Sequence, residues 1–361
     1  MFKRFAKSLE KTFKRLLKGF LLAILPQSAK EKPRPGDLRK ILVFRLDQRI
    51  GNGILLLPLL RAIRASRPAA EIHLLIHHPV ADLFRAAAGS LIDRLWPYNQ
   101  PALMKRPWQY LPLFWKLRRE RFDVVITSHN PDNFSLSQAL AGRFFKPRWL
   151  VGFDWKENAR FYDLAVVSSA AKPYADAMVD LWRALDPGAV FSAGGLQVPA
   201  EVISRVTAKF PPTAGGGILI WLGATGNKVL PGDIFSYLYE QIRKHGDLPV
   251  QFAAGPADVK RLSRYPQWIQ EKTLLWKEPL LETAAFFSCF QLFVSGDTGP
   301  MHLAAALGIP TLTIFVDSNI EQYGYHDRER HFSLLWKNTP EDRRILNRFL
   351  EMLLKMAAPG H

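Results

Sequence analysis

The segment Val294-Ser-Gly-Asp-Thr-Gly-Pro-Met-His302 holds residue types suited to chemistry on a charged small molecule. Leu292-Phe-Val-Ser295 has the apolar run of a buried strand. Gly296 permits a tight turn, Asp297 or Thr298 can cap, and Pro300 suits the first turn of a helix reaching Leu307. The unbonded amides and positive dipole end of such a helix start attract an anion such as a diphosphate. Asp-Thr-Gly-Pro also opens helices for structural reasons alone, so the segment gains weight from what accompanies it. Lys228 is a cation of the kind a leaving diphosphate requires, or else a solvated loop lysine. Thr225 offers a hydroxyl to phosphate or serves only as a turn former. His302, in the first helical turn, could bind the same anion or make a structural hydrogen bond.

These residues need a strand-to-helix scaffold, and the chain provides one twice. Runs rich in β-formers at Ile41–Phe44, Ile72–Ile76, Val124–Thr127 and Trp149–Phe153 alternate with helical patterns at Ile54–Ala65, Ala81–Ala88, Leu111–Arg121, Ser135–Phe144 and Ala175–Leu185. Ile50-Gly-Asn-Gly53 reads as a turn. The Pro-, Gly- and Ala-rich stretch from Asp186 to Gly217 marks a domain boundary. The pattern then restarts, with strands expected at Ile218–Leu222, Val250–Ala253, Leu274–Trp276, Leu292–Val294 and Leu312–Phe315. Alternating strands and helices imply parallel sheets covered on both faces. The fold class expected is therefore α/β, two doubly wound Rossmann-like domains with a ligand cleft between them. The divisions are 1–40 for a basic helix and linker, 41–195 for the first domain, 196–341 for the second and 342–361 for a closing helix. Neither half carries GxGxxG or GxxxxGK[ST], which disfavours an ordinary dinucleotide domain or P-loop NTPase.

Gly296-Asp-Thr-Gly-Pro-Met-His-Leu-Ala-Ala-Ala-Leu-Gly-Ile-Pro310 resembles the signature of the glycosyltransferase family that contains the bacterial lipopolysaccharide heptosyltransferases, family 9. Arg45-Leu-Asp-Gln-Arg-Ile-Gly-Asn-Gly-Ile-Leu-Leu-Leu-Pro58 is similar to its first strand-loop-helix, and Gly223-Ala-Thr-Gly-Asn-Lys-Val-Leu-Pro231 to its phosphate loop. Phe122-Asp-Val-Val-Ile126 with Ser135 and Val151-Gly-Phe153, and Ala254-Gly-Pro-Ala-Asp258, match further segments, so that the likeness runs over residues 41–316. The resemblance implies a GT-B-type fold and an inverting transfer, with ADP-heptose as donor and no metal for the best-known members. It implies that Lys228 neutralises donor phosphate, Asp258 approaches the ribose and Asp297 contacts the donor sugar. It also implies that Thr298, Gly299 and Met301 offer backbone amides. Unaided, Asp258 after Gly255-Pro256 reads equally well as a helix cap.

One position departs from the family pattern. An inverting transfer to a hydroxyl benefits from a carboxylate that accepts its proton. The family usually places Asp after the Gly of the first loop, where this chain has Asn52, which can orient an acceptor hydroxyl but cannot take its proton. Asp47, in the same loop, is the candidate base or a loop-bracing carboxylate; Asp132 is an alternative, as are donor phosphate and water. A protein that binds sugar nucleotide or lipopolysaccharide with little or no transfer is a further alternative, as is a GT-B-fold enzyme for another sugar nucleotide. Arg45 and Arg49 flank the loop and could meet an anionic acceptor, and His129 ends a strand expected to face the cleft. His77-His78 diverge as neighbours at a strand end and make no metal pair, and the aromatic-rich Trp96–Trp115 stretch is assigned to core and surface packing.

The chain of 361 residues is 48% apolar and 22% charged, which is the balance of a folded protein. Its single cysteine, Cys289, sits in an apolar run that suggests a buried thiol. Of the net charge of +17, residues 1–40 carry 12 − 3 = +9, which argues against nucleic acid as the reason for the charge. Phe2, Phe5, Leu9, Phe13, Leu16 and Phe20 recur on one helical face while Lys3, Lys7, Lys11, Lys14 and Lys18 recur on another. The stretch is too short for a spanning helix and lacks a signal-peptide cleavage site, so residues 1–25 are expected to lie on an anionic membrane, or to pack on the body. The partners expected are a nucleotide-diphosphate sugar and a lipid-linked glycan acceptor, on the cytoplasmic side of the inner membrane.

Overall fold

The structure is a computed structural model, and it describes residues 18–19, 31, 33, 35–155, 158–169, 171–192, 195–211, 216–224, 228–246, 248–325, 327 and 329–357. The basic helix expected over residues 1–25 lies outside the described residues apart from Lys18 and Gly19. The strands are β1 (Lys40–Phe44), β2 (Glu71–His77), β3 (Arg94–Tyr98), β4 (Val124–Thr127), β5 (Trp149–Phe153), β6 (Leu164–Val166), β7 (Ile218–Trp221), β8 (Val250–Ala254), β9 (Thr273–Leu275), β10 (Leu292–Gly296), β11 (Thr311–Phe315) and β12 (His331–Leu335). The first helices are α1 (Ile50–Ile54), α2 (Leu57–Ser66), α3 (His78–Ala87), α4 (Gln100–Lys105), α5 (Leu111–Arg119), α6 (Leu136–Phe144) and α7 (Tyr174–Arg183). They are followed by α8 (Ala200–Lys209), α9 (Gly232–Lys244), α10 (Gln267–Glu271), α11 (Leu280–Phe287), α12 (Gly299–Ala306), α13 (Ile320–Tyr323) and α14 (Pro340–Ala357).

By compactness the chain forms two units that do not follow a single cut at 195/196. One comprises Met1–Gln48, Pro58–His78 and Ser90–Ser192; the other comprises Arg49–Leu57, Pro79–Gly89 and Ala193–His361. The physical reason is that α1 packs on α12, and that the end of α3 is tied to the later chain by a bond from the Gln197 amide to the Ala87 carbonyl at 3.0 Å.

In the first unit a six-stranded parallel sheet runs β3-β2-β1-β4-β5-β6, with Phe44 in register with both Leu75 and Thr127. Ile41–Phe44 and Val124–Thr127 are wholly buried, as continuous apolar runs in the centre of a parallel sheet require. Phe44, Phe122, Phe145 and Phe161 pack with Leu117 in one core. The expectations omitted β3 and β6 here and β12 in the second unit, all at sheet edges. Pro97 disguises β3, because a proline in a strand weakens its pattern although an edge position tolerates it.

The second unit repeats the architecture with order β12-β11-β10-β7-β8-β9, again parallel throughout. Val294 of β10 lies in register with Ile220 and Leu312 at the sheet centre. Helix α8 interrupts the stretch read as a boundary; it is amphipathic, buries Val202 and Val206, and pairs Arg205 with Glu282 of α11 at 3.0 Å. Cys289 is half-buried rather than buried, with Sγ 3.3 Å from the Ala285 carbonyl.

Candidate functional site

The candidate residues fall into two groups, one in each unit. In the second unit, β10 delivers Ser295 and Gly296 from the buried sheet, and α12 starts at Gly299 with Pro300 in its first turn. Thr298 occupies the N-cap position at φ −151° and ψ 159°, yet the expected side-chain cap is not formed. The Thr298 hydroxyl therefore leaves the first amides of α12 without a side-chain cap. The Met301 amide, expected to be offered outward, donates to the Thr298 carbonyl at 3.1 Å, because the helix has already closed its first turn there. At the other end Gly308, at φ +74°, turns the chain towards Pro310 and β11, a conformation that glycine adopts at no steric cost.

Lys228 and Asp297, assigned separately to phosphate and sugar, are joined to one another: Nζ lies 2.5 Å from Oδ2. Asp297 is 5% exposed and Lys228 33%, so the carboxylate is the desolvated member and the ammonium the accessible one. The ammonium also stands 5.4 Å from the centre of the Tyr323 ring. His302 is buried behind this pair, with Nδ1 2.9 Å from the Tyr325 hydroxyl. Burial pushes the imidazole down to about 4, with Lys228 acting in the same direction and Asp297 against it. His302 is therefore neutral near pH 7 and offers one donor and one acceptor. Burial pushes the Tyr325 phenol up, so it remains a hydroxyl.

Against this corner rests α1, which makes Gly51, Asn52 and Gly53 part of a buried short helix where a connecting turn was expected. Gly51 has a steric reason to be glycine. A Cβ there would lie 2.8 Å from His302 Cδ2 and 3.1 Å from the Gly299 Cα. Asn52 is 8% exposed on the same turn. Arg49, at the N-cap position of α1, is exposed.

Asp258 sits in the short 3-10 helix Pro256–Arg264 after β8. Its carboxylate takes Arg261 Nη1 at 3.2 Å and accepts from the Gly255 and Ala224 amides, while Arg261 also donates to the Ala224 carbonyl. A Cβ on Gly223 would come within 2.3 Å of Asp258 Oδ2, so glycine is required for the loop after β7 to pass under the carboxylate. Burial pushes the acid up, against the downward pull of Arg261 and the two amides. Thr225, on the same loop, lies outside the described residues.

In the first unit Arg45 is not at the surface, contrary to the expectation for a strand-end arginine that meets an acceptor. It is 1% exposed, and its guanidinium is consumed by the protein. Nε and Nη2 hold Asp47 Oδ2 at 2.7 and 2.6 Å, Nη1 donates to Tyr174 Oη at 2.9 Å and to the Ser128 carbonyl, and Nη2 reaches Asn130 Oδ1 at 2.5 Å. Tyr174 donates to the same Asn130 oxygen at 2.6 Å, and Tyr98 Oη spans the Arg45 and Asp47 carbonyls, each at 3.1 Å. Five contacts on five N–H groups explain how a charge is tolerated here. Asp47 remains 24% exposed, a carboxylate held rigidly from within. His129 is half-buried, with Nδ1 3.2 Å from the Asn133 carbonyl, and burial and Arg45 lower its pKa. Asp132 is half-buried; its Oδ1 is enclosed with no hydrogen-bond partner among the described residues. Tyr325, Tyr174 and Asn130 were not singled out from the sequence, because each lies 23 or more residues from the group it supports.

Two all-parallel doubly wound sheets, with a glycine-led helix start after a central strand of the second, define a GT-B-like α/β fold. The family model for glycosyltransferase family 9 (heptosyltransferase) matches residues 111–351, and the chain belongs to that family. It is a glycosyltransferase. Among solved structures, the glycosyl transferase family 9 protein from Veillonella parvula DSM 2008 superposes with a TM-score of 0.69 at 17% identity, covering 88% of this chain and 97% of that one. E. coli ADP-heptose lps heptosyltransferase II gives 0.65 at 18% identity, over 88% of this chain and 100% of that one. E. coli heptosyltransferase WaaC, solved with ADP-2-deoxy-2-fluoro heptose, gives 0.62 at 17% identity over the same shares. No curated protein sequence matches the chain.

Proposed function

We propose that this glycosyltransferase moves a heptose or closely related sugar from ADP-heptose to lipopolysaccharide core or another lipid-linked acceptor, with inversion. The observation that carries this reading is the uncapped start of α12, with the accessible Lys228 ammonium pinned beside it by buried Asp297. Supporting it, two of the similar structures are named as ADP-heptose or heptose transferases. In this reading the acceptor oxygen attacks the anomeric carbon, the bond to the diphosphate breaks, and Lys228 with the helix dipole stabilises the leaving charge. The acceptor proton goes to Asp47, oriented by Arg45 and partly exposed as a base must be. Residues 1–25 would hold the enzyme on anionic lipid at the cytoplasmic face of the inner membrane; among the described residues no helix is long and apolar enough to cross one.

The test is turnover of ADP-heptose with truncated lipopolysaccharide by the purified protein. Asp47→Asn should lower kcat by about 10²-fold or more while leaving ADP affinity unchanged; unchanged turnover removes Asp47 from the base role. One observation favours a second reading, a sugar-nucleotide binder with little transfer: Asn52 stands where the family pattern has Asp. Tight ADP-heptose binding by the wild-type protein with no product would favour that reading over the first.

A further inference from the structure

The segment from Gln100 to Arg119 carries more apolar surface than its own packing uses. Leu103, Tyr110, Leu113 and Phe114 already pack against the first-unit core, and Leu117 is inside it. On the outer side Met104 is 67% exposed, Trp108 62%, Leu111 51% and Trp115 49%. Among the ten tryptophans only Trp108 and Trp115 are exposed, and with Met104 and Leu111 they concentrate four large exposed apolar side chains within one short segment. Leu111 and Trp115, four residues apart on α5, share one face. Contiguous exposed apolar side chains of this size mark a contact surface.

The charge around them says what kind. Between Gln100 and Arg119 there is no Asp or Glu, while Lys105, Arg106, Lys116 and Arg119 are exposed beside the apolar group. Arg118 lies over the Trp115 ring at 5.3 Å. Tryptophan flanked by lysine and arginine fits the headgroup layer of an anionic bilayer, where the ring meets the acyl boundary and the cations meet phosphate. A protein–protein interface is depleted in lysine, and a rim of one sign would suit only a partner of the opposite charge.

We propose that α4, the turn Pro107–Tyr110 and α5 form a membrane-docking face, separate from residues 1–25, that seats Trp108, Leu111 and Trp115 in an anionic lipid surface. The face leaves the sheet one residue after Tyr98, whose hydroxyl bonds the Arg45 and Asp47 carbonyls. From there α5 runs back along the sheet, so that Trp115 packs on Phe144, and Glu120, just after α5, pairs with Lys40 at the start of β1. The inference concerns the surface alone and stands whether or not the sugar is heptose.

The experiment is co-sedimentation of the full chain with vesicles of phosphatidylglycerol and phosphatidylethanolamine, and with phosphatidylcholine vesicles. Trp108→Ser/Trp115→Ser should lower partitioning onto the anionic vesicles by about tenfold or more. Lys105→Glu/Arg106→Glu should do so on anionic but not on phosphatidylcholine vesicles, and added salt should weaken wild-type binding. Because all four side chains are exposed, circular dichroism and the thermal midpoint should match the wild type. Partitioning unchanged in both variants would overturn the proposal. So would a wild-type dimer that Trp108→Ser/Trp115→Ser dissociates with vesicle binding intact, since the face would then belong to a second copy of the chain.

Discussion

Gly51→Ala tests whether α1 and the start of α12 form one fitted surface. The added Cβ would lie 2.8 Å from His302 Cδ2 where ordinary contact begins at 3.4 Å, so one side must yield by 3.4 − 2.8 = 0.6 Å. The imidazole has little room to retreat, being 5% exposed and held by Tyr325 at 2.9 Å, and the second obstacle, the Gly299 Cα at 3.1 Å, is backbone. Overpacking of this kind costs about 1–3 kcal/mol. Opposing it, alanine favours the helical turn of α1 by about 1 kcal/mol over glycine. The net loss is about 0–2 kcal/mol, a fall in Tm of a few degrees in a unit of this size. Stability is thus the weaker readout. The stronger one is ligand affinity, because the displaced atoms belong to the proposed diphosphate site: calorimetry should show ADP affinity reduced by about tenfold. Gly89→Ala, where a Cβ meets nothing within 4 Å, should leave both quantities unchanged. A Gly51→Ala protein that binds ADP as the wild type does, with an unchanged or higher Tm, would refute the fitted-surface argument.

Other outcomes follow from the same corner. His302 is pushed down to about 4 in the folded protein against about 6.5 unfolded, so the folded state binds fewer protons between those values. Its contribution is therefore complete above pH 6.5 and is lost as pH falls towards 4, to a limit of about 3 kcal/mol. Urea unfolding at pH 7 and pH 5 should show a smaller loss for His302→Gln than for the wild type; equal losses would assign the acid sensitivity to other groups. Lys228→Met strips the buried Asp297 of its cation and should cost about 1–3 kcal/mol, since the lysine is one-third exposed. Adding Asp297→Asn should restore stability without restoring ADP binding, and recovery of both would mean that Lys228 acts on the fold alone.

Much of the scaffold can be read from composition along the chain, because buried parallel strands are continuous apolar runs and β10 with α12 supplies one followed by Gly296 and Pro300. What escapes is pairing at a distance. Lys228 and Asp297 are 69 residues apart, and nothing in either segment announces that they meet. Arg45 misleads by its type: an arginine at a strand end is ordinarily solvated, and only the convergence of Asp47, Ser128, Asn130 and Tyr174 makes a buried guanidinium affordable. Gly51-Asn52-Gly53 misleads by propensity, since two glycines in three residues argue against a helix, and burial against α12 overrides them.

The burial of that turn also bears on the departure at Asn52. An ionised aspartate at a site 8% exposed would lose hydration and would share the α1–α12 corner with Asp297, itself 5% exposed and already paired with Lys228. Such a carboxylate would take up a proton or loosen the turn. Asparagine keeps the shape and hydrogen-bonding capacity without the charge. Asn52→Asp should therefore destabilise the protein by about 1–3 kcal/mol at pH 8, less at pH 5 where the acid is neutral in its buried setting. The same variant weighs Asp47 as the base. If it raises turnover despite the lost stability, position 52 faces the acceptor hydroxyl and Asp47 serves as a brace for Arg45; if turnover falls or holds, position 52 is not the base, and Asp47→Asn decides whether Asp47 is.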